Sequence, residues 1–282
     1  MSTLIIGAGL VGSQIAKNIV DNDGKAIVFD LHPQYDSIKQ VVDLQNVEII
    51  TGDVMNLQSL EELVKNRSVK RIIHTAANSM LTVGAQERPH EAIRLNILGT
   101  ANVLEVSRKF DLERVVFTSS SVLYTFRKGG LESGKLTEDN YPRPTTIYAS
   151  TKLACENLGL NYFESYGLDF VAVRFAAVFG PWSGPGGGGP TTMIKQLIEK
   201  SLRGEPATVG SRVIEYVYSK DAARGTVLAL EAKSPVSRIY NISMGKIYKP
   251  EEIASIVSRL APNSKISIEE SSGGPAVKVV EP

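Results

Sequence analysis

Thr3-Leu4-Ile5-Ile6-Gly7-Ala8-Gly9-Leu10-Val11-Gly12 is the stretch that decides the fold. A short, largely apolar strand runs into G-x-G-x-x-G, and an amphipathic helix follows to about Asp21. Gly7 permits the tight turn, Gly9 lets backbone approach a pyrophosphate, and Gly12 lets helix and strand pack closely. The helix N-terminus then faces the phosphates, with Leu10 and Val11 as its first residues. A second strand over residues 26–29 ends at Asp30, roughly the ~20 residues downstream that such a motif expects. A carboxylate there accepts hydrogen bonds from an adenosine ribose and repels a ribose 2′-phosphate. Leu31 and His32 supply no arginine for that phosphate, so NAD is favoured over NADP. The competing interpretation is a Gly-rich turn beside a surface Asp.

Outward from this stretch the pattern keeps alternating. Residues 47–50 form a strand entering Gly52-Asp53-Val54, 57–65 a helix, and 71–74 a strand leading to Thr75-Ala76-Ala77. Small residues at that strand end let a dinucleotide lie against backbone. Asp53 is placed either to reach an adenine amino group or to form a turn, and His74 reads as structural. A helix over 89–110 carries Asn96 and Gly99, then comes a strand at 114–117 and the run Thr118-Ser119-Ser120-Ser121. The strand 170–175 leads into Val178-Phe179-Gly180-Pro181-Trp182. Residues 183–190 are rich in Gly and Pro, either a cover over a site or a linker. Shorter segments follow: a helix at 192–202, a strand at 215–218 and a helix at 221–233. This repetition implies an α/β fold, a doubly wound parallel (Rossmann) sheet with ligands at the carboxyl ends of the strands. Residues 1–175 are expected to form the dinucleotide-binding domain, with 212–233 returning to it, and 176–282 a smaller C-terminal α/β substrate-binding lobe.

A second stretch carries chemistry. Residues 146–156 read as a helix that stops near Gly167, and positions four apart share a face, so Tyr148 and Lys152 project side by side. A phenol titrates near ~10 and is a poor base at neutral pH unless an adjacent cation stabilises its anion. A Tyr–Lys pair alone also decorates many solvated helices; here its company is what counts.

Composition narrows the class. The 282 residues, 43% of them hydrophobic, can bury a substantial core. With 31 basic and 30 acidic residues, net charge +1 and no block of like charge, nucleic acid and membrane surfaces are not expected partners. The single cysteine, Cys155, precludes an intramolecular disulfide and fits a reducing compartment. Met1 leads straight into a strand without the features of a signal peptide, and no apolar run has membrane-spanning length. A cytoplasmic protein is expected.

Collected in order, Gly7-x-Gly9-x-x-Gly12 with Asp30, Gly52-Asp53-Val54, His74-Thr75-Ala76-Ala77, Asn96-x-x-Gly99, the serine run, Tyr148-x-x-x-Lys152, Arg174 with Gly180-Pro181, and Asp221 resemble the extended short-chain dehydrogenase/reductase superfamily. The likeness is to its NAD-dependent epimerase/dehydratase family and spans nearly the whole chain. It implies an enzyme in which Ser120, the serine four positions before Tyr124, and Tyr148 bracket a substrate hydroxyl. Lys152 lowers the tyrosine's pKa and binds the nicotinamide ribose, and Asn96 supports the site from the neighbouring helix. Further NAD contacts are implied at Ser119, Phe175 and Val178, and substrate contacts at Asn78, Ser120, Tyr124, Ala177 and Trp182. The family's four-helix-bundle homodimer is implied through 96–110 and 147–166.

The chain departs from the family pattern in three places. Ser121 and Val122 stand where 4,6-dehydratases carry an Asp-Glu pair, which argues against elimination of water. Ala177 replaces a usual Asn, and Ile214-Glu215 replaces Arg-Asp, removing groups that hold a nucleotide diphosphate. The expectation is hydride transfer at a secondary alcohol of a sugar or sugar-like substrate. The alternatives are a nucleotide-sugar epimerase with transient oxidation by tightly bound NAD, and a non-catalytic NAD-binding module.

Overall fold

The computed structural model describes residues 2–77, 81–124, 135–185, 187–211, 213–269 and 280–281. Its first half runs β1 (Ser2–Ile6), α1 (Leu10–Asp21), β2 (Lys25–Asp30), α2 (Tyr35–Ile38), β3 (Val47–Thr51), α3 (Leu57–Asn66) and β4 (Val69–His74). Helices α4 (Leu81–Glu87), α5 (Pro89–Ile93) and α6 (Gly99–Lys109) precede β5 (Arg114–Ser120), and α7 (Ile147–Tyr166) precedes β6 (Phe170–Phe175). The rest comprises β7 (Ala177–Phe179), α8 (Gly188–Leu202), β8 (Pro206–Val209), β9 (Ile214–Tyr218), α9 (Ser219–Glu231), β10 (Ile239–Ile242), β11 (Ile247–Tyr248), α10 (Pro250–Leu260) and β12 (Lys265–Ile268).

Among the described residues one parallel seven-stranded sheet has the order β10-β6-β5-β4-β1-β2-β3. The order reverses between β1 and β4, the switch point where doubly wound sheets take ligands. Strand side chains alternate between two buried faces. Ile5, Val28, Ile73, Val116, Val171 and Val173 join α1 and α9 on one side. Leu4, Ile6, Ile27, Phe29, Ile72, Phe117 and Phe170 join α3, α6 and α7 on the other. Each such fully buried side chain contributes about 1.5–3 kcal/mol. Two further small sheets, β11-β9-β7 and β12-β8, surround a separate core of Leu197, Ala207, Val209, Tyr216 and Ile253.

The elements depart from the sequence expectations in instructive ways. The helix expected over 89–110 is interrupted: Arg94–Leu98 is a π-helical turn, and it carries Asn96. Helix α8 begins at Gly188, absorbing the end of the Gly- and Pro-rich run, because a proline in the first turn forfeits no intrahelical bond. β10, the edge of the main sheet, is not among the expected strands. It has only four residues, and Asn241 breaks its apolar run. Within 213–233, β9 pairs in a small sheet while α9 packs on α1, β5 and β6. No helix among the described residues is long and apolar enough to cross a membrane.

Candidate active site

The first part of the site is a cradle at the end of β1. Gly7 has φ +106°, the left-handed region that favours glycine, and a Cβ on Gly12 would lie 1.9 Å from the Gly7 carbonyl oxygen. The Thr75 hydroxyl donates to both the Ile6 and Gly7 carbonyls at 3.0 Å, and the Thr75 and Ala76 amides both donate to the Ile6 carbonyl at 2.8 Å. That locks the turn to the end of β4, with Ala77 directly after. Gly9 caps α1 without a side chain, and the first turn of α1, including Leu10 and Val11, holds no acidic residue. Its amides and dipole are therefore available to an anion. Asp30 accepts from the Ala8 amide at 2.7 Å and the His32 amide at 2.8 Å. Each of its oxygens keeps a lone pair for another donor.

Asp53 forms a turn, accepting the Met55 amide at 2.9 Å, and Val54 is buried beneath Gly99 while its carbonyl accepts from Asn102. Phe175 is buried at the end of β6, and Val178 is half-buried in β7. The cradle fits a dinucleotide: turn, bare helix start and carboxylate occur together. The Ser119 hydroxyl, buried at the end of β5, has no partner among the described residues.

The second part converges on the same end of the sheet. Thr146 caps α7, its hydroxyl accepting the Ala149 amide at 3.2 Å, and Gly167 (φ +71°) ends it. Tyr148 and Lys152 are both buried, at 7% and 3% exposure. The Lys152 ammonium donates to the Thr118 carbonyl at 2.7 Å and lies 4.6 Å from the Phe117 ring centroid and 5.7 Å from that of Tyr148. Burial brings its pKa down to about 8, against Cys155 and Glu156, which raise it. Burial likewise raises the Tyr148 phenol above its ordinary value, and a hydrogen bond with Ser120 works the other way. In this dry helix face desolvation is the largest influence on the phenol.

Asn96 stands behind the pair. Its amide donates to the Thr151 hydroxyl at 2.9 Å, which donates to the Tyr148 carbonyl at 2.8 Å. The Asn96 backbone carbonyl accepts from the Thr100 hydroxyl at 2.6 Å and from the buried Cys155 thiol at 3.2 Å. His74, pushed down to about 3 by burial and then by Lys152, meets the Thr100 hydroxyl through Nε2 at 3.1 Å.

The expected substrate residues are less united. Ser120 adjoins Tyr148, but the Tyr124 hydroxyl is engaged, receiving Arg174 at 2.6 Å and donating to Asn241 at 3.0 Å. Trp182 is buried, donates to the Pro185 carbonyl at 2.7 Å, and walls a groove of about 220 Å³ with Thr191, Lys195 and Glu199. Ala177 packs against the core of the small sheets, and Asn78 lies outside the described residues. Sequence reasoning missed Thr118, Thr151 and Glu156. Only Glu156 left a signal, one helical turn after Lys152.

Comparison with known proteins agrees with this geometry. The NAD dependent epimerase/dehydratase family profile matches residues 3–243. The UDP-glucuronate 4-epimerase of Thermodesulfobacterium geofontis is 28% identical over 266 residues, covering 90% of this chain and 77% of its own. The structure of the Thermus thermophilus UDP-glucose 4-epimerase in complex with NAD superimposes with TM-score 0.84 at 26% identity, covering 100% of this chain and 91% of that one. A GalE-like L-threonine dehydrogenase from Cupriavidus necator, in its holo form, gives TM-score 0.84 at 25% identity, covering 96% and 87%. With its cradle, its Tyr–Lys helix and a family match over most of its length, this chain belongs to the NAD-dependent epimerase/dehydratase family and is an NAD-dependent enzyme of the extended short-chain dehydrogenase/reductase type.

Proposed function

We propose that the substrate is a secondary alcohol of a sugar or sugar-like molecule and that Tyr148 is its acid–base group. The observation that carries this is the meeting of Ser120, Tyr148 and Lys152 at the end of β5, beside the Gly7–Gly12 cradle. Gly7, Gly9, Gly12, Asp30, Thr75 and Ala76 would hold NAD, which when bound supplies a hydride acceptor and a cationic ring. Ser120 orients the substrate hydroxyl. Tyr148, ionised, takes its proton. Lys152 favours the phenolate by charge and Asn96 fixes the helix that carries both. Run backwards, Tyr148 returns the proton to a ketone.

Two outcomes use the same groups: release of the ketone, or its return as the other epimer. Ala177 and Glu215, which stand where the family carries groups that hold a nucleotide diphosphate, favour a substrate without a nucleotide. The names of the relatives, which include UDP-sugar epimerases, favour the epimer. We read residues 1–175 as the cofactor-binding part and 176–282 as the substrate lobe, and place the protein in the cytoplasm. A homodimer through α6 and α7 is supported by the exposed Leu98 and Tyr166 on that flank; a monomer mass in light scattering would overturn it.

The test is a panel of free sugars, aldonic and uronic acids, 3-hydroxy amino acids and nucleotide sugars with purified protein and NAD. Net NADH with one member establishes the dehydrogenase. Stereochemical scrambling without net NADH, seen by NMR, establishes the epimerase. NAD binding with neither outcome across the panel would count against both.

A further inference from the structure

Lys152 and Glu156 are one helical turn apart on α7, both buried, at 3% and 0% exposure. Glu N-terminal to Lys is the better order for a helical pair, but a buried ammonium and carboxylate at this spacing would still pair if nothing intervened. Here they do not. The ammonium donates to the Thr118 carbonyl at 2.7 Å. The carboxylate is taken in a fork by Arg174 on β6, Nε to Oε1 at 2.9 Å and Nη2 to Oε2 at 2.7 Å. A bidentate guanidinium outcompetes a single ammonium for both oxygens. The third arm of Arg174, Nη1, reaches the Tyr124 hydroxyl at 2.6 Å, at the end of the turn that follows Ser120.

From this geometry we propose that Arg174 is a positioning residue for proton transfer, holding Glu156 so that the Lys152 charge stays directed at Thr118 and Tyr148. The inference rests on the function proposed above. The titratable and charged groups around Lys152 among the described residues are Tyr148, Cys155 and Glu156 on its own helix, His74 at the end of β4 and Arg174 on β6, with Tyr124 beyond. Of these only Glu156 offers a carboxylate that can pair with Lys152. His74 and Cys155 are held uncharged by burial.

The test needs no substrate. Tyr148 is titrated in the NAD-saturated protein by phenolate absorbance, as the difference between each variant and the same variant carrying Tyr148→Phe. Arg174→Met frees Glu156 to pair with Lys152, and the Tyr148 midpoint is expected to rise by about one unit, the low end of what one nearby charge does. Arg174→Met with Glu156→Gln removes the competitor as well, and the midpoint is expected back within about 0.3 unit of the native value. If Arg174→Met does not fold, Arg174→Lys, which holds one carboxylate oxygen, takes its place with a smaller rise. An unmoved midpoint in the Arg174 variant, or one that stays displaced in the double variant, overturns the proposal and leaves Arg174 a purely structural residue. Because the titration reads Tyr148 directly, a silent substrate panel would sink the proposed function without touching this result.

Discussion

Two buried arginines occupy opposite ends of the central sheet. Arg114 opens β5; its Nε and Nη2 hold Asp169 at 2.9 and 2.6 Å, and its Nη1 caps α9 through the carbonyls of Ala229, Leu230 and Ala232. Asp169 also holds Arg238. Every partner is a fixed part of the scaffold. Arg174, near the carboxyl end of β6, has as partners the Glu156 carboxylate on α7, the Tyr124 hydroxyl and, at 3.5 Å, the Glu138 carbonyl. The same side chain is a helix cap at one end and part of the proposed proton-transfer surroundings at the other. In a doubly wound sheet the amino ends of strands serve stability and the carboxyl ends serve chemistry.

The sharpest way to separate the ends is Tyr148→Phe. Turnover is expected to fall by about 10³-fold, within the range of general acid–base loss, while NAD binding and melting temperature hold. Retained turnover would place the chemistry elsewhere. At the other end, Arg114→Met is expected to cost about 3 kcal/mol of unfolding free energy by denaturant titration, the low end for a broken buried pair since Arg238 still serves Asp169. Turnover per folded molecule should not change; if it falls tenfold, the division between the two ends fails.

His74, between these ends, gives a pH test. Its pKa in the fold, about 3, lies below the unfolded value of 6.5. The unfolded chain therefore binds the extra proton, and stability is complete above about 6.5 and drains as pH falls toward about 3. Between pH 7.5 and 5 that is about 2 kcal/mol, which His74→Asn should remove from the difference between two urea titrations. Equal acid sensitivity in native and variant would show the ring is not held neutral. The smallest effect is expected from Ser120→Ala, about tenfold in turnover for one lost hydrogen bond, with the Tyr148 midpoint rising slightly.

The cradle was legible in the sequence because its parts are local. Gly7, Gly9 and Gly12 meet steric demands within one turn, and Asp30 follows at a spacing set by one helix and one strand. Tyr148 and Lys152 were legible for the same reason, four residues apart on one helix. Groups recruited from afar were harder. Arg174 could be quoted as part of a pattern, but its fork on Glu156 exists only once β6 lies beside α7, 18 residues along the chain. The partner of Tyr124 is more remote: its hydroxyl donates to Asn241, 117 residues away on a strand too short and too polar to be recognised. The phenol's upward shift was equally hidden, since a helical pattern does not tell how dry a face will be.

The most direct measurement follows the hydride. Protein loaded with NAD is mixed with the substrate found in the panel, deuterated at the carbinol carbon, quenched during turnover, and the nicotinamide is examined by mass spectrometry. Deuterium on the nicotinamide of the native protein, and labelling about 10³-fold slower with Tyr148→Phe, is the expected result. Turnover of the deuterated alcohol without label reaching the cofactor would contradict hydride chemistry at the carboxyl end of this sheet.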